Sequence, residues 1–304
     1  MKKQTILSGL IAIMGISVLS SCEKNKDEMK STSEMTIAEY ASSDNNFSTL
    51  VQALSKADLV NVLNGEGNFT VFAPTNEAFK ALFNQLGVTG ISDLSAETLK
   101  PILLYHVLGE EKKSGMLSSG YFNTLSPAQS SFLSLYITSS GGVKINKNTS
   151  VIKADVDVKN GVIHAIDKVL LPPTVVDQAL TNDNFSILVE AVVKAGLVET
   201  LKGAGPFTIF APTNDAFRAL FTQLGITGVN DLTAEQLTPI LLHHVVSGNI
   251  RSSSLSAGSV QTLNGSINIS ITPSPTIGTN TKIVATDVQA SNGVIHVIDK
   301  VLLP

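Results

Sequence analysis

The chain has 304 residues, a formal net charge of −4 from 21 basic and 25 acidic side chains, 43% apolar residues, one Cys and no Trp. That composition describes a globular protein without a rich aromatic sugar-stacking surface. The acidic balance, with no basic face or aromatic-interleaved Arg cluster, gives no reason to expect nucleic acid as a partner.

Residues 1–22 read as a secretion signal: Lys2 and Lys3 form a positive start, Ile6 to Leu19 is apolar with small residues, and Ser20-Ser21-Cys22 closes the segment. The apolar run is shorter than the ~20 residues that span a bilayer. Leu19-Ser20-Ser21-Cys22 resembles a bacterial lipobox, so Cys22 is expected to carry diacylglycerol; the alternative is a secreted protein cleaved nearby. Once lipidated, Cys22 leaves no thiol for a disulfide, a zinc site or a nucleophile, and its acyl chains suffice for durable membrane anchoring. Residues 23–35 are charged and poor in large apolar side chains, which predicts a flexible tether reaching on the order of 20 Å. Within it, Lys26-Asp27-Glu28 resembles the lysine-plus-acidic signal that routes some Gram-negative lipoproteins to the outer face; a solvated charge cluster explains it equally well. Without Lys2 and Lys3 the formal charge is −6 (19 basic against 25 acidic).

The remainder repeats itself. Phe72-Ala73-Pro74-Thr75-Asn76 returns as Phe210-Ala211-Pro212-Thr213-Asn214 at an offset of 138, and Asn160-Gly161-Val162-Ile163-His164 returns as Asn292-Gly293-Val294-Ile295-His296 at an offset of 132. Two domains follow, residues 36–172 and 173–304, each long enough to close its own core. Each opens with an amphipathic helix, Phe47, Leu50, Val51 and Leu54 in the first copy. A short strand ends at Pro74, Thr75-Asn76 caps a second helix that Gly87 stops, and Ser95 starts a third that runs to His106-Val107 and that Pro101 should kink or split. Thr233 with Gln236 makes a capping box that Ser95 with Thr98 does not. The second half of each copy, rich in Ser, Thr, Val and Ile, reads as strands, with Asn160-Gly161 and Asn292-Gly293 as two-residue hairpin turns. Pro172-Pro173 predicts a stiff junction and a semi-rigid pair.

The Phe-Ala-Pro-Thr-Asn block, the central Tyr105-His106 and the terminal Asn-Gly-Val-Ile-His block, in that order and twice over, resemble the fasciclin-like domain family. The resemblance implies an α+β fold, a bent β-sandwich or wedge with flanking helices, used mainly in extracellular adhesion and in matrix or surface binding. The second copy carries His243-His244 in place of Tyr-His, so an adhesive role for Tyr105 would belong to the first copy alone.

His106, His164, His244 and His296 sit among apolar residues at helix or strand spacing and are expected to be structural. Tyr105, His243 and the divergent stretches 109–150 and 247–286 are the candidate recognition surfaces. No catalytic constellation, metal-ligand spacing or cofactor motif is present: Asp155-Val156-Asp157 lacks the remaining ligands of a calcium loop. The expected function is a non-enzymatic, lipid-anchored adhesion or binding protein. It would sit in the cell envelope, at the outer membrane and surface-exposed, with a surface or matrix protein or a polysaccharide as partner. The alternative is an envelope accessory lipoprotein that binds a soluble ligand or assists polysaccharide uptake.

Overall fold

The computed structural model describes residues 30–304 apart from Ser130 and Pro273. Cys22 and the expected signal lie outside the described residues. Ser31 to Met35, expected to belong to the tether, are folded: a 3-10 turn over Thr32–Glu34 leads into the body, and the Met35 carbonyl accepts from Lys159 N at 2.7 Å.

The first copy starts with three helices, α1 (Ile37–Ser43), α2 (Ser48–Lys56) and α3 (Val60–Asn64), then β1 (Phe69–Pro74), α4 (Asn76–Leu86) and α5 (Ala96–Tyr105). Strands follow: β2 (Val107–Leu108), β3 (Gly120–Ala128), β4 (Ser131–Thr138), β5 (Lys144–Ile145), β6 (Thr149–Val158) and β7 (Gly161–Ile166). The second copy repeats the order with α6 (Val175–Thr181), α7 (Ser186–Lys194), α8 (Val198–Lys202), β8 (Phe207–Pro212), α9 (Asn214–Leu224) and α10 (Ala234–His243). Its strands are β9 (Val245–Ser247), β10 (Gly258–Gln261), β11 (Ser266–Ser270), β12 (Thr276–Ile277), β13 (Thr281–Ala290) and β14 (Gly293–Ile298). The α+β class expected from the sequence is the class observed.

Local chemistry explains the helices. Thr75 Oγ1 accepts from Ala78 N at 3.3 Å, Glu77 stands in the first turn of α4, and Gly87 ends it at φ 68°. α1 begins with a capping box in which Thr36 and Glu39 exchange hydrogen bonds, a helix the apolar periodicity did not reveal. Neither α5 nor α10 is split by its proline: α5 runs through Pro101 and α10 through Pro239. A carbonyl in each of those turns is also taken by a side chain from the strand half, Ser126 Oγ to Pro101 O at 2.8 Å and Asn264 Nδ2 to Pro239 O at 3.0 Å.

In each copy one apolar core lies between helices and sheet, around Phe47, Phe79 and Leu103 in the first, and another is enclosed by the strands, around Phe72, Leu135 and Ile137. β1 pairs parallel with β7 and antiparallel with β2, and the Leu108 to Thr124 pairing of β2 with β3 closes the seven strands into a ring. The second sheet runs β10-β11-β12-β13-β14-β8-β9 and stays open. The six residues missing from the second copy explain the difference, because its hairpin strands β10 and β11 are four and five residues long where β3 and β4 are nine and eight.

The longer hairpin of the first copy docks on the second. Ser134 on β4 is the hub: its Oγ accepts from Gln289 N at 3.0 Å, and its carbonyl accepts from both Gln178 Nε2 and Tyr105 OH. Tyr121 packs against the second helix–sheet core, and Lys147 pairs with Asp183. The copies are thus held by a tertiary interface as well as by Pro172-Pro173. Each keeps its own cores, so fragments 31–172 and 173–304 should each melt in one cooperative transition. The second, deprived of the hairpin that covers Gln178 and Gln289, should melt several degrees below the tandem. Equal melting temperatures for the fragment and the tandem would remove the energetic weight given to this interface.

Candidate functional site

The repeated motifs converge where α1 to α3 meet the sheet, and their polar groups are turned to internal use. Asn76 does not cap α4, as expected, but anchors α2: Oδ1 accepts from Thr49 N at 2.9 Å, and Nδ2 donates to Asn45 O and Ser48 Oγ at 2.8 and 3.0 Å. Asn214 repeats this with Ile187, Asp183 and Ser186.

The Asn-Gly pairs also differ from expectation. Val158 pairs with Gly161, so the turn residues are Lys159-Asn160 and Gly161 already belongs to β7. Asn160 is instead a clamp. Its Oδ1 accepts from Ile37 N at 2.9 Å, and its Nδ2 donates to Leu63 O and Gly65 O at 2.8 Å each, tying α1 and α3 to the strand hairpin. Asn292 does the same with Val175, Leu201 and Gly203. Gly161 is needed because a Cβ there would lie 2.0 Å from the Phe69 carbonyl oxygen; at Gly293 the figure is 2.2 Å to Phe207 O.

The four histidines expected to be structural are buried and fixed as neutral tautomers. At His106 the ring donates from Nδ1 to Ile102 O at 2.7 Å and accepts at Nε2 from Leu170 N at 2.9 Å; His244 repeats this with Ile240 and Leu302. His164 and His296 adopt the other tautomer, accepting at Nδ1 from Asp155 N and Asp287 N and donating from Nε2 to Lys112 O and Ile250 O. In each ring one nitrogen faces an acceptor-only carbonyl and the other an N–H, so a second proton would confront a donor. Burial pushes His106 and His244 down to about 4 and also lowers His164 and His296, against the pull of their carbonyl partners and of Asp155 and Asp287.

Asp155 and Asp287, at φ 59° and 61°, grip the segments that follow β2 and β9 by accepting from the amide and hydroxyl of Ser114 and Ser252. Desolvation pushes both carboxyls up, but these hydrogen bonds, with His164 and Lys113 beside Asp155 and His296 and Arg251 beside Asp287, together outweigh it and hold both below the ordinary carboxylate range. Among the described residues no three His, Cys, Asp or Glu side chains gather as metal ligands.

The candidate binding residues are corrected. Tyr105 is fully buried, because α5 turns it into the strand core, where its OH donates to Ser134 O at 3.0 Å and accepts from Asn146 Nδ2 at 3.0 Å. His243 is buried as well and donates from Nδ1 to Asn264 O at 2.6 Å. Each fastens its helix to the adjacent strands, so no exposed recognition face surrounds either. The divergence of stretch 109–150 is accounted for in part by its docking on the second copy.

The profile of the fasciclin domain matches residues 45–172 and 183–304. The chain belongs to the fasciclin domain family. A stretch of 141 residues, 46% of this chain, is 45% identical to Protein sll1483 of Synechocystis and covers 76% of that protein. The transforming growth factor-beta-induced protein ig-h3 of Sus scrofa is 33% identical over 258 residues, 80% of this chain and 35% of that protein. Human periostin is 30% identical over 251 residues, 80% of this chain and 29% of its own length. The chain therefore spans about a third of these two animal relatives. A solved FAS1 domain pair from the insect cell adhesion molecule Fasciclin I aligns with 88% of this chain and 96% of that one, at 19% identity and a TM-score of 0.47.

Asn160→Ala strands one amide and two carbonyls beneath α1 and α3 and should cost about 3 kcal/mol in chemical denaturation. On acidification the unfolded chain protonates its histidines near pH 6.5, whereas folded His106 and His244 resist to about pH 4. Stability should therefore fall progressively from pH 6.5 to 4, by about 3 kcal/mol for each of these two rings. Melting temperatures that stay level across that window would contradict the assignment of buried neutral imidazoles.

Proposed function

We propose that this protein is a non-enzymatic adhesion or binding protein. It would be held to a membrane by lipid on Cys22 and would present its two fasciclin domains, from the cell envelope, to a surface or matrix protein or a polysaccharide. The observation that carries this reading is the use of the shared polar residues. Asn, His and Asp side chains of the repeated motifs are committed in both copies to partners inside the fold, which leaves recognition to the outer surfaces. Family membership supports the same reading, as does the interface that fixes the two domains to one another. A fixed pair presents two surfaces at a set separation, and two weak contacts made together raise effective concentration without any new chemistry.

Beads coated with the tandem should attach to a matrix-protein or polysaccharide surface more strongly than beads carrying either domain alone. Equal attachment by all three would sink the two-site reading, and reproducible turnover of a substrate by the purified protein would sink the non-enzymatic one. The anchor is tested separately: Cys22→Ala should move the protein from the detergent to the aqueous phase. Protease shaving of intact cells should remove the domains; protection would favour the accessory lipoprotein that binds a soluble ligand.

A further inference from the structure

The helix–sheet core of the second copy is incompletely filled. A cavity of about 110 Å³ lies between α6, α7 and α8 and the sheet, whereas the corresponding space in the first copy is about 20 Å³. The 138-residue offset shows how the lining differs, two apolar side chains shortening while Val71 lengthens to Ile209. Ile37 becomes Val175 and Leu54 becomes Val192, each one methylene shorter. Tyr40, which lines the smaller space, becomes Gln178, which does not line the larger one because its amide is drawn across to Ser134 and Gln289.

The mouth changes together with the interior. Ser42, Ser55 and Asn64 of the first copy become Leu180, Val193 and Lys202, all of which line the second cavity. Leu180 and Val193 are 47% and 60% exposed, so core packing does not account for them. His244 also reaches the cavity wall, but both its nitrogens are bonded within the protein. Lys202 is the one freely exchangeable polar group among the lining side chains. It pairs with Asp177 at 3.5 Å with both side chains about two-fifths exposed, and an exposed pair of that kind is weak enough to yield to a competing carboxylate. Asp177 has separate employment in the α6 capping box with Thr174.

We propose that the second domain binds an aliphatic monocarboxylic acid of medium chain length, with the end of the chain in the cavity, its middle along Leu180 and Val193, and its carboxylate on Lys202. The enclosed volume suits a short run of methylenes, since an apolar cavity of ~150 Å³ stays dry and takes benzene. Lys202, the one cation among the lining side chains, favours an anionic head, which has to displace the Asp177 carboxylate 3.5 Å away. The site is independent of the adhesive reading: it lies on the helical side of one domain and uses none of the shared polar motifs beyond the wall of His244.

The test uses the mature protein with octanoate, octanol and octylamine as probes, followed by calorimetry and by amide chemical shifts. Octanoate should bind with one-to-one stoichiometry and shift resonances of α6 to α8 but not of α1 to α3. Lys202→Met should weaken octanoate about fivefold and leave octanol unchanged. Val175→Ile combined with Val192→Leu restores the first copy's side chains, and should abolish binding while preserving or raising the melting temperature. Octanoate binding that survives this filling, shifts confined to the first copy, no binding at all, or octylamine binding as well as octanoate would each overturn the proposal.

Discussion

The parallel pairing of β1 with β7, repeated by β8 with β14, is the constraint on which the rest of each domain depends. It joins the helical half to the strand half across some ninety residues, and parallel neighbours cannot be connected by a tight turn. Close approach at its start requires Gly161 or Gly293, since a Cβ would collide with the facing backbone. The preceding residue then falls where an Asn can reach α1 and α3 at once. Further along the same register Phe72 faces His164, with ring centroids 5.6 Å apart, and Phe210 faces His296 at the same distance. The terminal Asn-Gly-Val-Ile-His block is therefore a docking strip for β1: its Gly admits the strand, its Asn holds the helices, and its His closes the site with two hydrogen bonds.

The same frame supports two different outer arrangements. In the first copy the position of Gln289 is Asp157, exposed and paired with Lys113, and that of Gln178 is Tyr40, whose OH accepts from Lys153 Nζ. In the second copy both positions are covered by the docked hairpin and carry Gln, which can donate to facing carbonyls without bringing a charge into the interface. The accommodation is incomplete, since Gln178 Oε1 has no hydrogen-bond partner among the described residues. Shortening β10 and β11 removes the equivalent platform from the second copy and opens its sheet.

Much of this was legible in the sequence, and the failures share a cause. The duplication, the α+β class, the caps at Thr75 and Gly87, the capping box of Thr233 with Gln236, and the burial of the four motif histidines are local or periodic signals, and they hold. α1 was missed: Thr36 and Glu39 carry its capping box, but it is only seven residues long and its periodicity is correspondingly faint. What failed depended on partners far away in the chain. Asn160-Gly161 has the composition of a hairpin turn, but its residues answer to Phe69, Leu63 and Gly65. Tyr105 has the look of an interaction residue, and only the fold of β4 around it shows an internal role. Pro101 should interrupt a helix in isolation, yet tertiary packing holds α5 through it.

Duplication supplies its own control. A side chain kept in both copies with the same partners, as Asn160 and Asn292 or His106 and His244 are, serves something both domains need, which is the fold. A side chain that differs serves something one domain does and the other does not. Tyr40 and Gln178 show how far one such difference extends: the Tyr ring fills the space beneath α1, whereas Gln in its place turns towards the neighbouring domain and leaves the space beneath α6 open. One substitution thus contributes both to the pairing of the domains and to the opening of the cavity. In this chain the informative residues are those that break the repeat.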